Sequence, residues 1–464
     1  MNPTSFFSTA VKNLSQLTLL ALAILFPLSG WAQKVVEFTG DSGTDEFSDP
    51  ESWKDGKVPG PEDTATFSLL GSYTVTFTED IEIARLRMAD GGHSVEPDVV
   101  TLALEGQTLS LTATLSPDIK TKDWPILLNP SSQASRTLKL ENGTLNCNGI
   151  WTATTAGDFP AVFILDKEMK VQGSGMGYIG AYGPGEAYIL GGSKWVSESS
   201  SWAGVLGHGT TGSGLLEISG KGSSFSALTD ESVPKSDVRI FYVSTTGNGT
   251  LRVLDGGSFA CDAVNMGNGN NGAMAPKAYS TILVDGAGST FATRILNVGA
   301  GANNILQPPT PSGNAILAVT NGATANIGSL SVFSLDSAEG TEPVCGRVLI
   351  AGGTLNLGVN SETMLSEFLP GSLFEVRLRE VPAAAGVNAP GELKIEGARF
   401  KLTLDPAFRA KVGDRIPLID GDIVTGTFAD LPEGSTITAD GYTFTLSYEL
   451  KTAGTVGLKV TAVP

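Results

Sequence analysis

Leu251-Arg-Val253-Leu-Asp-Gly256-Gly257-Ser-Phe259-Ala-Cys261 places two short runs of alternating apolar and polar residues on either side of a Gly-Gly turn. Alternation with period two marks a strand buried on one face, and glycine supplies the backbone freedom that a tight corner needs. The same phrase recurs along the chain. Leu216-Glu-Ile218 leads to Gly222 and Phe225, Ile282-Leu-Val284 to Gly288 and Phe291, Leu317-Ala-Val319 to Gly322, and Val348-Leu-Ile350 to Gly352-Gly353 and Leu355. Turn glycines at 222, 257, 288, 322 and 353 are separated by 35, 31, 34 and 31 residues. A period of roughly 20–50 residues is the signature of a repeat architecture.

Working outward, looser copies appear at Leu102-Ala-Leu104-Glu-Gly106 and Leu138-Lys-Leu140-Glu-Asn-Gly143. Each copy has room for about three strands, as in Leu251 to Val253, Ser258 to Cys261 and Val264 to Met266, followed by a polar loop from Asn268 to Lys277. One copy has too little apolar surface to be stable alone, and stacking neighbours makes a continuous core. The expected fold is all-β, a right-handed parallel β-helix. The alternative treats each glycine turn as a hairpin tip and gives an antiparallel β-sandwich or β-roll array. Stacked strands leave open ends, which call for atypical terminal modules. The expected organisation is a signal peptide over 1–32, N-terminal capping strands over 33–100, glycine-rich repeats over 101–368 and a β-rich C-terminal cap over 369–464.

Composition agrees with this architecture. The 464 residues include 57 glycines, and 41 % are hydrophobic, enough to bury a core. Asp and Glu outnumber Lys and Arg by 48 to 30, a formal charge of −18 that makes nucleic acid and anionic membranes poor partners. In the first 32 residues Lys12 is the only charge, an apolar run extends from Leu17 to Leu28, and Gly30-Trp31-Ala32 supplies a small-x-small cleavage site. A signal peptide cut before Gln33 is expected, with no membrane span after cleavage, and the mature chain is expected to be exported, at the cell surface or outside the cell.

The opening Trp53-Lys-Asp-Gly56-Lys-Val-Pro59 followed by Tyr73-Thr-Val-Thr-Phe77, and the recurring Gly-x-Leu-x-Val-x-x-Gly-Gly phrase between Gly214 and Leu357, resemble exported bacterial β-solenoid proteins of the autotransporter-passenger and PEP-CTERM-associated repeat type. The stretch from Val412-Gly-Asp414 through Gly426-Thr-Phe428 and Leu431-Pro-Glu-Gly434 to Tyr448 is similar to the module that often closes them. The resemblance implies fold and export, not a reaction.

Candidate chemistry is sparse. Gly175 to Gly180, Gly207 to Gly212 and Gly267 to Gly272 each match Gly-x-Gly-x-x-Gly, but none opens a helix that could receive a pyrophosphate, so no nucleotide cofactor is expected. The two histidines, His93 and His208, both sit in glycine turns and fit turn residues better than a catalytic base. Cys147, Cys261 and Cys345 form no metal-ligand or disulfide spacing, and Leu357 occupies the place equivalent to Cys147 and Cys261, which suggests buried apolar thiols. The acidic stretch Asp41 to Glu51 lacks an ordered calcium loop. Neither a metal nor a catalytic set is expected, although a pair of carboxylates for glycan cleavage needs only two of the 48 acidic residues. Trp151, Trp195 and Trp202 fall close to Tyr178, Tyr182 and Tyr188. These aromatics either fill the core or stack on sugar rings, and Tyr182, Tyr188, Trp195 and Trp202 are the candidate glycan contacts. The expected function is that of a non-enzymatic, adhesin-like surface or matrix protein, with extracellular polysaccharide or other surface proteins as partners. A polysaccharide lyase or glycoside hydrolase is the alternative.

Overall fold

The computed structural model describes residues 34–464 except 41–44, 89–96, 114–123, 130–133, 154–156, 199–201, 230–237, 268–278, 302–309, 312, 336–343, 360–364, 383 and 453. The expected signal peptide, His93, the loop from Asn268 to Lys277 and the side chain of Cys345 lie outside the described residues.

Residues 35–464 form a parallel β-helix. One face is a sheet in which twelve strands, from Ser72–Thr76 to Arg399–Leu404, follow one another in sequence order, each paired parallel with the next. The chain leaves this face at a glycine corner and enters a second, 24-stranded sheet, which supplies the remaining two faces. In the central rungs one bent strand covers both, as Ser258–Met266, Thr290–Val298 and Thr324–Val332 do. Parallel order from rung to rung excludes the sandwich alternative. Among the described residues, antiparallel ladders are limited to two small hairpins and the C-terminal strands, besides isolated antiparallel bridges such as Phe38 with Trp53 and Thr320 with Gly352.

The repeat phrase has a direct physical meaning in this coil. Its apolar residues stack in register: Val75, Leu102, Leu140, Leu165, Ile189, Ile218, Val253, Val284, Val319, Ile350, Val376 and Leu402 form one inward column. A second column on the next face runs Leu109, Leu145, Val171, Trp195, Phe225, Phe259, Phe291, Ala325, Leu355, Val387. Phe225, Phe259 and Phe291 stack with ring centroids 5.3 Å apart at each step. Of the paired glycines in the turn, Gly256 has a φ of +85°, while a Cβ on Gly257 would lie 2.4 Å from the Ile218 carbonyl of the rung below. The first therefore makes the turn and the second permits the rungs to approach.

Cys147 and Cys261 are buried, as expected from the equivalence with Leu357. Burial pushes their thiols up, to about 11 and about 12 respectively. Asp262 marks the bend between two faces. Its fully buried carboxylate accepts from the backbone N–H groups of Thr229 and Arg239 at 3.0–3.1 Å and lies 3.4 Å from Nε of Arg294.

Parallel pairing also runs through the first rungs, where Val35–Phe38, Thr64–Phe67, Arg85–Met88 and Ile126–Leu128 form one ladder. Trp53 plugs this end. Its indole N–H donates to the Phe47 carbonyl at 2.7 Å, and its ring meets Phe47 and Phe38 at 4.8 and 5.2 Å. At the other end Arg415–Thr425 pairs parallel with the coil on one side and antiparallel with Thr455–Ala462 on the other. Tyr442–Ser447 and Thr436–Ala439 continue that antiparallel sheet, and Phe428 stacks on Phe400 at 5.1 Å to close the core.

Two substitutions test the stacking argument. Trp195→Ala removes a large ring from the inward column and should cost about 3–5 kcal/mol. Gly256→Ala should cost about 1–2 kcal/mol through its left-handed backbone. Both are read as lowered thermal midpoints, and an unchanged midpoint for Trp195→Ala would contradict the inward placement.

Candidate functional site

In the rungs between residues 124 and 266, one outward face departs from the usual polar exterior. The runs Ile150-Trp151, Tyr178-Ile179, Val205-Leu206 and Ile240-Phe-Tyr-Val243 are apolar at consecutive positions, so both sides of the sheet are apolar there. Ile150, Ile179, Leu206, Phe241 and Val243 point inward and join the main core. Trp151, Tyr178, Val205 and Tyr242 are aligned with one another in register on the outside. Together with Trp124, Ala181, Val238, Ile240 and Ala263 they form a second apolar cluster. Two aromatic residues at its margin remain open to solvent, Tyr182 at 40 % and Trp202 at 41 % exposure.

Local backbone features place these two rings. A β-bulge interrupts the pairing of Trp202–Leu206 with Ile240–Val243 between Trp202 and Gly204, which re-aims the Trp202 side chain. The corner that follows each strand turns at a left-handed residue, Gly180 (φ +71°), Gly207 (φ +59°) or Ser244 (φ +80°). A Cβ on Gly207 would come within 1.9 Å of the Asn248 carbonyl, so the close approach of rungs needs glycine there. Immediately after these corners come Ala181, His208 and Thr245, linked by backbone bonds from His208 N to Gly180 O and from Thr245 N to Gly207 O.

The rings touch in an unbroken series. Tyr182 lies 5.8 Å from His208, His208 5.0 Å from Tyr178, Tyr178 6.2 Å from Trp202, and Trp202 6.3 Å from Tyr242. All four contacts are edge-to-face, a favoured aromatic geometry. His208 Nδ1 and Thr245 Oγ1 are hydrogen-bonded at 2.9 Å, and Thr211 Oγ1 donates to the Tyr182 carbonyl at 2.7 Å. Burial lowers the imidazole below its ordinary value and pushes the Tyr178 hydroxyl up to about 12, with Tyr182 and Tyr242 adding to the latter shift. At neutral pH His208 is therefore neutral and the Tyr178 hydroxyl keeps its proton.

The four sequence candidates divide. Tyr182 and Trp202 come together around His208 and Tyr178. Trp195 does not join them: its ring sits in the inward column between Val171 and Phe225 with 1 % exposure, so the expectation of a surface contact is corrected at this residue. Strand alternation decided this, since Trp195 follows the same parity as Phe225 and Phe259. Tyr188 lies on the first sheet, aligned with Ile164 and Glu217, and its hydroxyl donates to Glu186 at 2.7 Å. His208, Tyr178 and Tyr242 were not among the contacts expected from sequence. The broken alternation at Ile240-Phe-Tyr-Val243 was the signal that an outer apolar face exists.

Glu141 and Asp166, at the end of neighbouring strands of the first sheet, are engaged with bases. Lys139 bridges Glu141 and Asp166, and Lys167 also reaches Glu141. Burial alone would raise both carboxyls, but hydrogen bonds and charge from these lysines outweigh it and hold them low. Among the described residues no group of three His, Cys, Asp or Glu side chains converges as metal ligands would. No described helix is long and apolar enough to cross a membrane. Near the C-terminal strands a groove of about 690 Å³ is lined by Asp405, Phe408, Arg409, Asp440 and Tyr442, among others. No protein-family model matches the chain, and no curated protein matches it.

The lowered imidazole has a consequence for stability. An unfolded histidine titrates near 6.5, so between that value and the lower folded one the unfolded chain binds more protons. The contribution of neutral His208 is complete above about pH 6.5 and is lost as pH falls through the folded value. The thermal midpoint of His208→Gln should decline less steeply than that of the parent between pH 7 and 5. Parallel declines would show that His208 is not buried in its neutral form.

Proposed function

We propose that this is an exported, non-enzymatic, adhesin-like protein of the bacterial cell surface or matrix, of the autotransporter-passenger or PEP-CTERM-associated repeat type, with an extracellular polysaccharide as partner. The observation that carries this reading is the outer aromatic series. Aromatic side chains are usually found inside a coil of this kind, where each adds roughly 1.5–3 kcal/mol of burial. Tyr182 and Trp202 are instead held at 40 and 41 % exposure beside a bulge and three left-handed corners of the backbone. Trp202 opens a strand of the coil, and sites carried on strands hold their geometry better than sites on loops. The acidic surface and the apolar run over residues 17–28 are consistent with export and with solubility outside the cell.

A carbohydrate-active enzyme is the second reading, and the C-terminal groove favours it, because Asp405, Asp440 and Arg409 stand beside Phe408 and Tyr442. Two carboxylates flanking a sugar are the minimum a glycosidase requires. Against it, Asp405 is occupied: it accepts from the Ala407 N–H at 3.0 Å and lies 3.6 Å from Arg379.

Incubation of the mature chain with plant and algal polysaccharides separates the two readings. Retention on glycan without release of reducing or unsaturated ends is expected. Product release that Asp405→Asn or Asp440→Asn abolishes would replace adhesion with catalysis. Export is tested by N-terminal sequencing of the secreted material, which should begin at Gln33, and retention of residues 1–32 would contradict it.

A further inference from the structure

We infer that the series Tyr182–His208–Tyr178–Trp202–Tyr242 is a binding site for a neutral polysaccharide, whose sugar rings stack on the open faces of Tyr182 and Trp202. The inference rests on the adhesive reading and narrows it to one surface and one ligand class.

Three observations point to a neutral sugar. The first is the contrast with the core. Trp195, Phe225, Phe259 and Phe291 are all at least 99 % buried, whereas Tyr182 and Trp202 each keep about two-fifths of their surface exposed. The second is the edge-to-face order of the contacts, with interplanar angles of 63–73°. In that order each contact sets the edge of one ring against the face of the other, and the part of Tyr182 and of Trp202 that these contacts leave uncovered faces solvent. The apolar C–H faces of a pyranose complement such surfaces, as other flat apolar faces do.

The third observation concerns charge. In a protein with 78 Asp, Glu, Lys and Arg residues, the groups that bear on the Tyr178 hydroxyl are Tyr182 and Tyr242, and the shift at His208 comes from burial alone. Tyr242 responds to burial and to a hydrogen bond with Asn265. Among the described residues, no lysine or arginine contributes to the shifts at Tyr178, His208 or Tyr242, and Arg239, next to Ile240, is engaged with the Ser197 and Leu228 carbonyls, so a uronic-acid polymer would desolvate its carboxylates there without a compensating charge. Hydroxyl groups, in contrast, match uncharged polar groups such as the Tyr182 hydroxyl and the His208 imidazole, whose Nδ1 is already engaged with Thr245. The imidazole is neutral at pH 7 because burial lowers it, so it offers a hydrogen bond without a charge.

The two exposed rings belong to neighbouring rungs, Tyr182 following the strand Gly177–Ile179 and Trp202 opening the strand Trp202–Leu206 that pairs with it. Rungs are about 4.8 Å apart. A ligand with repeated rings engages more of this series than a monosaccharide does, so affinity should rise with chain length.

Affinity electrophoresis of the mature chain tests the inference, in gels containing hydroxyethyl cellulose, laminarin or galactomannan, with polygalacturonate and alginate in parallel. At least one neutral polymer should retard the parent protein. The double variant Tyr182→Ala/Trp202→Ala should bind it about tenfold more weakly or worse, a change of about 1.4 kcal/mol or more. His208→Ala should weaken binding less. Tyr279→Ala, which removes an exposed ring on the first sheet, serves as the control and should behave as the parent. Unchanged thermal midpoints for the double variant exclude unfolding as the cause. Two results would overturn this site while leaving the adhesive reading in place: retardation by neutral glycans that survives the double substitution, or retardation by the acidic polymers alone. Failure of every glycan to retard the parent protein would overturn both.

Discussion

In-register parallel pairing between rungs is the constraint on which the rest of this protein depends. Each rung's backbone N–H and C=O groups bond to the rungs above and below, and successive strands lie about 4.8 Å apart. Once that register is set, every side chain sits directly over its counterpart, and what stacks inward must tolerate its own kind. Valine, isoleucine and leucine do so along one face, and phenylalanine does so from 225 to 291. The same rule orders the polar positions. Asn297 donates to Asn265, Asn356 to Asn326 and Asn388 to Asn356, each at 2.8 Å. Amide ladders of this kind satisfy side-chain donors and acceptors along the stack.

Glycine is the counterpart of that register. A corner must reverse the chain within two or three residues while the backbone of the neighbouring rung lies close by. Gly256 and Gly257 divide the two requirements between positive φ and close approach. Ser244 meets the first requirement without being glycine, and its hydroxyl donates to the Gly247 carbonyl of the same corner. Stacked strands would otherwise leave edges open at both ends, a liability for aggregation. Trp53 with its ring of phenylalanines closes one end, and a switch from parallel to antiparallel pairing at Arg415–Thr425 closes the other.

The outer aromatic series follows from the same register. A coil that aligns residues 151, 178 and 242 aligns whatever occupies those positions. Here they are Trp, Tyr and Tyr, with Val205 between Tyr178 and Tyr242. The bulge beside Trp202 and the corner before His208 bring two further rings to the same place. Of the rings in the series, Tyr182 and Trp202 are the ones open to solvent, and they set the ligand chemistry proposed here.

Sequence alone determined the repeat, its glycine corners and the inward parity of most strands, because alternation and spacing are local properties of the chain. Phe225, Phe259 and Phe291 could be placed in one slot from the phrase itself, and so could Cys147, Cys261 and Leu357. Parallel rather than antiparallel pairing was favoured by the regular spacing, but tertiary structure decided it, since glycine turns serve both arrangements. The candidate site was legible only in part. Tyr182 and Trp202 could be picked out as aromatics in glycine-rich surroundings, yet nothing local separates them from Trp195, which the structure buries. Their meeting with His208, Tyr178 and Tyr242 depends on register between rungs about 25–40 residues apart in the chain and on one bulge. Those are long-range properties of the stacked backbone, fixed when the rungs pair and invisible within any single one of them.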